Sequence, residues 1–335
     1  MVFRFDYSDT DYDHLLQSLA NKLDVPVQRQ RLEFPEAIAD GSFRIFKLPN
    51  GLQACVVDCT LNQDWHIQRR KSAEEVFTLH FDEWTVNGSL VISIEEDRIK
   101  EKSTAKSLAY LTSSMFDWSY AATKGCVFKG VSVLFKRQSL VKYVNMELAE
   151  ELLSSYFALK TESVNLEPLN ARYRRWIKTM CQVDDDNPLQ LLIIQNRIML
   201  MIEMFFTNIL AKMRNPDFRV PLSQEDIDRV MNIERLLTKN VFQSPPSIQQ
   251  LARIAAVSES KLKKDFKTMY GLPIYEYYQK TRMHAAQDRL LTGKYSVKEV
   301  AMELGYSNLS NFTIAFKKEF GILPSQLLTG KRPND

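Results

Sequence analysis

Two stretches near the C-terminal end concentrate side chains able to contact a polyanion or a base edge. One runs Ser258-Glu-Ser-Lys-Leu-Lys-Lys-Asp-Phe-Lys267 and offers Ser258, Ser260, Lys261, Lys263, Lys264 and Lys267. The other runs Ser307-Asn-Leu-Ser-Asn-Phe-Thr-Ile-Ala-Phe-Lys317 and offers Ser307, Asn308, Leu309, Ser310, Asn311, Thr313, Ile314 and Lys317. Lysine suits phosphate and guanine, Asn and Ser reach base edges, and Leu, Ile and the Thr methyl suit the methyl of thymine. On one isolated helix such residues would read as a solvated face. Here the charge supports more: residues 241–335 hold 14 Lys and Arg against 8 Asp and Glu, leaving 30 basic and 33 acidic residues elsewhere. A basic tail on a slightly acidic body fits a nucleic-acid-binding module attached to something else.

Other reactive groups are sparse. The four cysteines, Cys55, Cys59, Cys126 and Cys181, are too few for a disulfide framework. Cys55 and Cys59 have no second pair, and the four histidines (His14, His66, His80 and His284) form no His-x-His. No zinc site, metal or other cofactor is expected. His66 and His80 read as packed strand residues, and the cysteines as reduced, buried thiols. No Gly-rich phosphate loop, paired catalytic carboxylates or Ser-His-Asp order stands out, so an enzyme is not expected.

The two polar stretches belong to a repeat. Ser247-Ile-Gln-Gln-Leu-Ala-Arg-Ile-Ala-Ala-Val-Ser258 aligns with Ser296-Val-Lys-Glu-Val-Ala-Met-Glu-Leu-Gly-Tyr-Ser307 at an offset of 49. Phe266-Lys267 with Gly271 aligns with Phe316-Lys317 and Gly321 at an offset of 50. The pattern is that of two helix-turn-helix units, about 247–271 and 296–321. Ala252 and Ala301 let the two helices cross closely. Gly305 fits a tight turn of positive φ, where the first copy has Ala256. Ser258 and Ser307 stand as N-caps of the second helices. Leu262 and Phe266, and Phe312 and Phe316, fall four apart and face inward, which leaves the polar stretches facing out. Between the copies Tyr275–Leu291 has no Gly or Pro and carries a stripe of Met283, Ala286, Leu290 and Leu291. A rigid helix there would fix the separation of the two readers, and about 34 Å would place them in successive major grooves.

This segment resembles the DNA-binding module of the AraC/XylS family over about the last 95 residues. The matching residues are Ala252, Leu262, Phe266 and Gly271; Arg282, Ala286 and Leu290-Leu291; and Ala301, Gly305-Tyr306, Phe312, Phe316-Lys317, Phe320-Gly321 and Pro324. The resemblance implies a seven-helix module on double-stranded promoter DNA, with RNA polymerase and a second copy of the chain as further partners. By position, the family's base-reading places fall on Ser260 and Lys264, and on Leu309, Ser310 and Ile314. Ile314 departs from the basic residue often found there, which points to apolar contact or weaker binding by the second unit.

The rest of the chain must position this module. With 335 residues, 45% hydrophobic and 25% charged, it is long enough for two or three domains. The first 140 residues alternate in short β-rich runs, at Leu52–Cys59, Val76–Phe81, Ser89–Ile94 and Cys126–Phe135, with turn signals at Pro49-Asn50-Gly51 and Asn87-Gly88. The expected fold class is α+β. An antiparallel β-barrel or sandwich over 1–143, similar to the cupin-like arm of many family members, would serve as an effector-sensing domain. A helical dimerisation or linker region would follow at 144–243, then the all-α module at 244–335. Trp65, Phe77, Phe81, Trp84, Phe116 and Trp118 could line a site for a small apolar effector, and core packing explains them equally well.

Helices are expected at 145–159 with Asn145 as cap, at 189–213, and from Ser223 on, after a break between Pro216 and Pro221. The third carries Ile227, Val230, Ile233, Leu236 and Leu237. Ile193, Ile194, Met201, Ile202, Met204, Phe205, Ile209 and Leu210 cover more than one face of the second, so it must be buried against its own domain or a partner protomer. Gln195, Asn196, Arg197 and Glu203 argue against a membrane span there. The N-terminus has no secretory pattern, and a bacterial cytoplasmic protein is expected. Two other functions compete with a ligand-responsive regulator. One is a regulator controlled by its amount or by a protein partner. The other is a DNA-repair methyltransferase, which needs a reactive cysteine in a Pro-Cys-His-Arg setting that none of the four cysteines has.

Overall fold

The computed structural model describes residues 2–8, 10–86, 88–94, 97–101, 105–158, 167–214, 222 and 224–327. They group into two compact units, Met1–Arg219 and Val220–Asp335. Asn87, the Asn215–Pro221 break, the Ser223 cap and the residues after Leu327 lie outside the described residues.

The N-terminal unit is built on two open sheets. One has the order β1 (Val2–Tyr7), β5 (Asp64–Arg69), β10 (Trp118–Ala122), β7 (Leu90–Ile94), β8 (Asp97–Glu101). The other runs β12 (Glu167–Pro168), β9 (Ala105–Ser113), β6 (Phe77–Thr85), β11 (Val127–Phe135), β4 (Gln53–Leu61), β3 (Ala39–Lys47), β2 (Arg31–Glu33). Neighbours are antiparallel except β1 and β5, which pair in parallel with Phe3 opposite Trp65 and Phe5 opposite Ile67. The expected α+β class holds, with two facing sheets in place of a closed barrel. Gly41 shows how tightly β3 meets β4: at φ +134°, an added Cβ would stand 2.0 Å from the Asp58 carbonyl oxygen.

The seven-stranded sheet is covered on both faces, and strand alternation sorts its side chains. Phe77, Leu79 and Phe81 of β6, Val131 and Val133 of β11, Ala54 and Val56 of β4 and Ala109 and Leu111 of β9 share a core with three helices. These are α3 (Met146–Ala158), α4 (Ala171–Gln182) and α5 (Gln190–Arg214). The other face looks toward the five-stranded sheet, where His80 stacks on Trp118 at 4.9 Å and Trp84 meets Tyr120 at 5.2 Å. Helix α1 (Tyr12–Leu23) buries Tyr12, Leu15, Leu16, Leu19 and Ala20.

Several expectations change here. Phe77 and Phe81 lie in the helix-side core and Trp84 is stacked on Phe128 at 4.2 Å, and none of the three is among the residues lining the cavity between the sheets. Phe116 sits half-buried between β9 and β10. Trp65 and Trp118 do line that cavity. His80 is buried, whereas His66 is only half-buried. Cys55, Cys59 and Cys126 are buried and Cys181 partly so.

Helix α3 begins as its sequence implies, with the Leu148 N–H donating to Asn145 Oδ1 at 2.8 Å. Helix α5 is long and apolar enough to cross a membrane by length and composition alone. Its stripe Ile194, Ile198, Met201, Phe205 and Ile209 instead fills the helix-side core. Leu191 and Leu192 on its other side are exposed, so the helix is buried on one face rather than all round. The span 144–243, expected as one region, divides: α3–α5 pack on the sheet, while α6 (Gln224–Lys239) belongs to the C-terminal unit.

That unit is helical throughout its described residues. After α6 come α7 (Ile248–Ile254), α8 (Glu259–Tyr270), α9 (Ile274–Leu291), α10 (Val297–Glu303), α11 (Leu309–Phe320) and a 3-10 turn at Pro324–Leu327. There are two small cores. Val230, Ile233 and Leu237 of α6 join Leu251, Ala252, Leu262 and Phe266 in the first, and Val300, Ala301, Leu304, Phe312 and Phe316 make the second. Helix α9 contributes to both, with Ile274, Tyr277 and Tyr278 in the first and Met283, Ala286 and Leu290 in the second. Leu291, expected on that stripe, is exposed.

Candidate nucleic-acid interface

Each helix of the repeat is started by a side chain that satisfies otherwise orphaned backbone donors. Ser247 Oγ accepts from Gln250 N at 3.2 Å, and Gln250 Oε1 accepts from Ser247 N at 2.8 Å. Ser296 and Glu299 repeat the exchange at 3.2 and 2.7 Å. These reciprocal capping boxes fix the start of α7 and α10. The backbone bonds also hold the Glu299 carboxyl below the usual carboxylate range. The pattern Ser-x-x-Gln/Glu was visible in the sequence and is the signal that would have found them.

The turns place both second helices. Ala256 has φ +52° and Gly305 φ +72°, so the two copies use the same left-handed backbone although only one has glycine. Ser258 Oγ then caps α8, accepting from Lys261 N at 3.2 Å. In the second copy the cap is Asn308, whose Oδ1 accepts from Ser310 N at 2.7 Å. The expected cap Ser307 is an exposed residue just before the helix. Both helices end alike: Gly271 at φ +74° and Gly321 at φ +72° return their N–H groups to Lys267 and Lys317 carbonyls at 2.8 Å.

The inward residues are as the spacing implies: Leu262, Phe266, Phe312 and Phe316 are all fully buried. Ser260, Lys261, Lys263, Lys264 and Lys267 are exposed on α8, while Leu309, Ser310, Asn311, Ile314 and Lys317 are exposed on α11, with Thr313 half-buried. Availability differs among them. Lys261 Nζ lies 2.9 Å from both Asp226 of α6 and Asp265 of its own helix, which raises its pKa. It is therefore committed to the protein rather than free for phosphate. Lys263 stands 3.6 Å from Glu259 across an exposed helical turn, a weak pairing. Lys264 and Lys267 have no ion pair among the described residues. Ser258 and Asn308 spend an oxygen on capping. On α11 the strongly exposed side chains Leu309 and Ile314 are apolar, at 44% and 66% exposure.

Arg282 joins the two halves. Its guanidinium lies 5.5 Å from the Tyr278 ring and 5.4 Å from the Tyr306 ring, donates to the Val241 carbonyl at 3.2 Å and also reaches the Leu304 carbonyl. One side chain on α9 thus ties the first core to the turn of the second unit.

Comparison with known proteins agrees with this geometry. Residues 251–330 match a family model described as a helix-turn-helix domain. The virulence regulon transcriptional activator VirF of Yersinia enterocolitica is 31% identical over 94 residues, 28% of this chain and 34% of its own length. The bifunctional transcriptional activator/DNA repair enzyme AdaA of Bacillus subtilis is 30% identical over 101 residues, 30% of this chain and 47% of its own. The chain thus spans about a third to a half of the length of these relatives. A crystal structure of a probable AraC family transcriptional regulator from Rhodopseudomonas palustris is 26% identical, with 32% of this chain and 99% of that one covered at a TM-score of 0.29. The residues matched to the family model coincide with the two capped units, their left-handed turns and the bridging helix, and by them residues 251–330 of the chain form a helix-turn-helix domain.

Proposed function

We propose that this chain regulates transcription by binding promoter DNA through both units, with α8 and α11 entering successive major grooves. The observation that carries the reading is α9: one uninterrupted helix shares its residues between both cores, so the two recognition helices are held at a fixed separation. On α8, Lys263 and Lys264 would meet phosphates or guanine, and Ser260 a base edge. On α11, Ser310 and Asn311 would hydrogen-bond while Leu309 and Ile314 would pack on thymine methyls.

The N-terminal unit would modulate this activity by taking a small molecule. A second copy of the chain and RNA polymerase are the expected protein partners, in the bacterial cytoplasm. A catalytic role is not part of the reading. Burial pushes the Cys55 and Cys181 thiols up to about 12 and Cys59 higher still, the opposite of what a methyl-accepting nucleophile needs.

The test is binding-site selection with purified full-length protein at near-physiological salt. Two conserved half-sites separated by about one helical turn, roughly 10 base pairs, are expected. A single half-site would remove one unit from the interface, and no enrichment would refute unaided sequence reading.

A further inference from the structure

Between the two sheets of the N-terminal unit lies a strip of polar side chains that DNA binding does not use. While Phe77, Leu79 and Phe81 of β6 face the helices, Thr78, His80 and Asp82 face the opposite sheet. Tyr110 and Thr112 of β9 and Ser132 of β11 join them through hydrogen bonds. From the facing sheet, β5 adds Arg69. Arg69 is 4% exposed, Thr78 and Asp82 are each 4% exposed, and Thr112 is fully buried.

The strip holds a fixed positive charge without a counter-ion. Arg69 donates to Thr78 Oγ1 at 3.3 Å, Thr112 Oγ1 at 3.2 Å and the Ser113 carbonyl at 2.7 Å. Its buried Nε has no acceptor, and no carboxylate lies within ion-pair distance of it among the described residues. Asp82 does not neutralise it. One oxygen accepts from Tyr110 at 2.6 Å, the other has no partner, and burial raises the carboxyl to about 7. His80 is held neutral by its burial and by the charge of Arg69. A buried unpaired guanidinium is costly. An orphaned donor on Arg69 and an orphaned acceptor on Asp82, four residues along β6 from Thr78, mark a place where something else belongs.

That place is a cavity of about 100 Å³. Arg69, Thr78, His80 and Asp82 supply its polar side, and the rings of Phe5, Tyr12, Trp65, Trp118, Tyr120 and Phe128 supply much of the rest. A void of ~150 Å³ lined by apolar groups takes benzene, so this smaller one suits a ligand of roughly four to six heavy atoms. An inorganic anion would leave the aromatic walls against water. A sugar would bring more hydroxyls than the open polar atoms can satisfy.

We propose that this cavity binds a small monocarboxylate with an apolar body, its carboxylate on the Arg69 guanidinium and its body among the aromatic rings. The site names the chemical class of the effector, and only its role as effector rests on the regulatory reading above.

The test uses full-length protein and isothermal titration calorimetry, with butyrate and isobutyrate as probes and their neutral amides as controls. Tryptophan fluorescence gives a second readout, since Trp65 and Trp118 line the cavity. Each carboxylate should bind at least roughly tenfold tighter than its amide, the worth of a charge-assisted hydrogen bond. Arg69→Gln should erase that preference and leave amide binding unchanged. Leu15→Trp, which fills the cavity from α1 and leaves the charge in place, should abolish both, so the conclusion survives if Arg69→Gln does not fold. Equal affinity for carboxylate and amide, the same signal from inorganic phosphate alone, or no binding of either carboxylate by the folded wild-type protein would overturn the site. Operator affinity is measured on the same preparation. Carboxylate binding that leaves DNA affinity unchanged supports the site and refutes its effector role, whereas loss of DNA reading with carboxylate binding intact refutes only the regulatory reading.

Discussion

Four lysines on α8 look interchangeable in the sequence, and the structure makes them unequal, which a salt titration can read. Lys261 is held at 2.9 Å by each of two carboxylates, Asp226 and Asp265. Lys263 is loosely paired and Lys264 has no ion pair among the described residues. Each phosphate neutralised by a protein cation steepens the dependence of log affinity on log salt by about 0.9. Lys263→Ala with Lys264→Ala should therefore flatten that slope by about 1.8. Between roughly 50 and 200 mM salt, a fourfold change, the wild-type protein should lose about twelvefold more affinity than the double variant. Lys261→Ala should change the slope by less than about 0.5, because the charge it removes is already compensated inside the protein. The assay is fluorescence anisotropy with the selected operator across that salt range. Lys263 and Lys264 are exposed, so the stability of their double variant should stay within about 0.5 kcal/mol of wild type. A Lys261→Ala slope change equal to that of the double variant would refute the assignment, since it would place Lys261 on phosphate. An unchanged double variant would take α8 out of the contact surface.

Three further outcomes are expected. Ser247→Ala and Ser296→Ala each remove half of a capping box and should cost about 1 kcal/mol in chemical denaturation followed by far-ultraviolet circular dichroism; a loss below about 0.3 kcal/mol would mean water replaces the cap. Ala256→Gly should stabilise the C-terminal unit by about 0.5–1 kcal/mol, because Ala256 sits at φ +52° where glycine carries no Cβ penalty, and a destabilised variant would contradict this. Asp82 ionises near 3.8 when unfolded and near 7 when folded, so the stability its protonated form confers is complete below about 3.8 and lost as pH rises to about 7. The loss is up to about 4 kcal/mol at 1.36 kcal/mol per pKa unit. Asp82→Asn should therefore gain stability relative to wild type across that window in thermal unfolding followed by tryptophan fluorescence, and a pH-independent difference would rule out the buried carboxyl as its source.

The C-terminal unit was legible because its information is local. A repeat at an offset of 49 residues fixes the small residues at the crossing and the left-handed turn, and at an offset of 50 the buried pair four apart. The one misplaced cap has a simple cause. The offset becomes 50 further on, the extra residue falls at the start of the second recognition helix, and Asn308 there reaches the Ser310 N–H that Ser307 would otherwise have served. The neutralised Lys261 was out of reach for a different reason, since Asp226 lies 35 positions away on α6 and nothing in α8 names it.

The N-terminal unit shows where alternation stops informing. Phe77-Thr-Leu-His-Phe-Asp82 has the period of a strand with one apolar and one polar face, and such a strand usually turns its polar face to water. Here Thr78, His80 and Asp82 turn inward instead, because a second sheet covers them. That sheet is held in part by a parallel pairing of β1 with β5, between residues about 60 positions apart. Nothing within β6 distinguishes a polar face against water from one lining a cavity; the difference lies in what stands opposite. Once Arg69 is opposite, the same alternation that reads as an ordinary surface strand becomes half of a buried anion site. The functional content of the segment therefore resides in the pairing of two sheets and not in either strand alone.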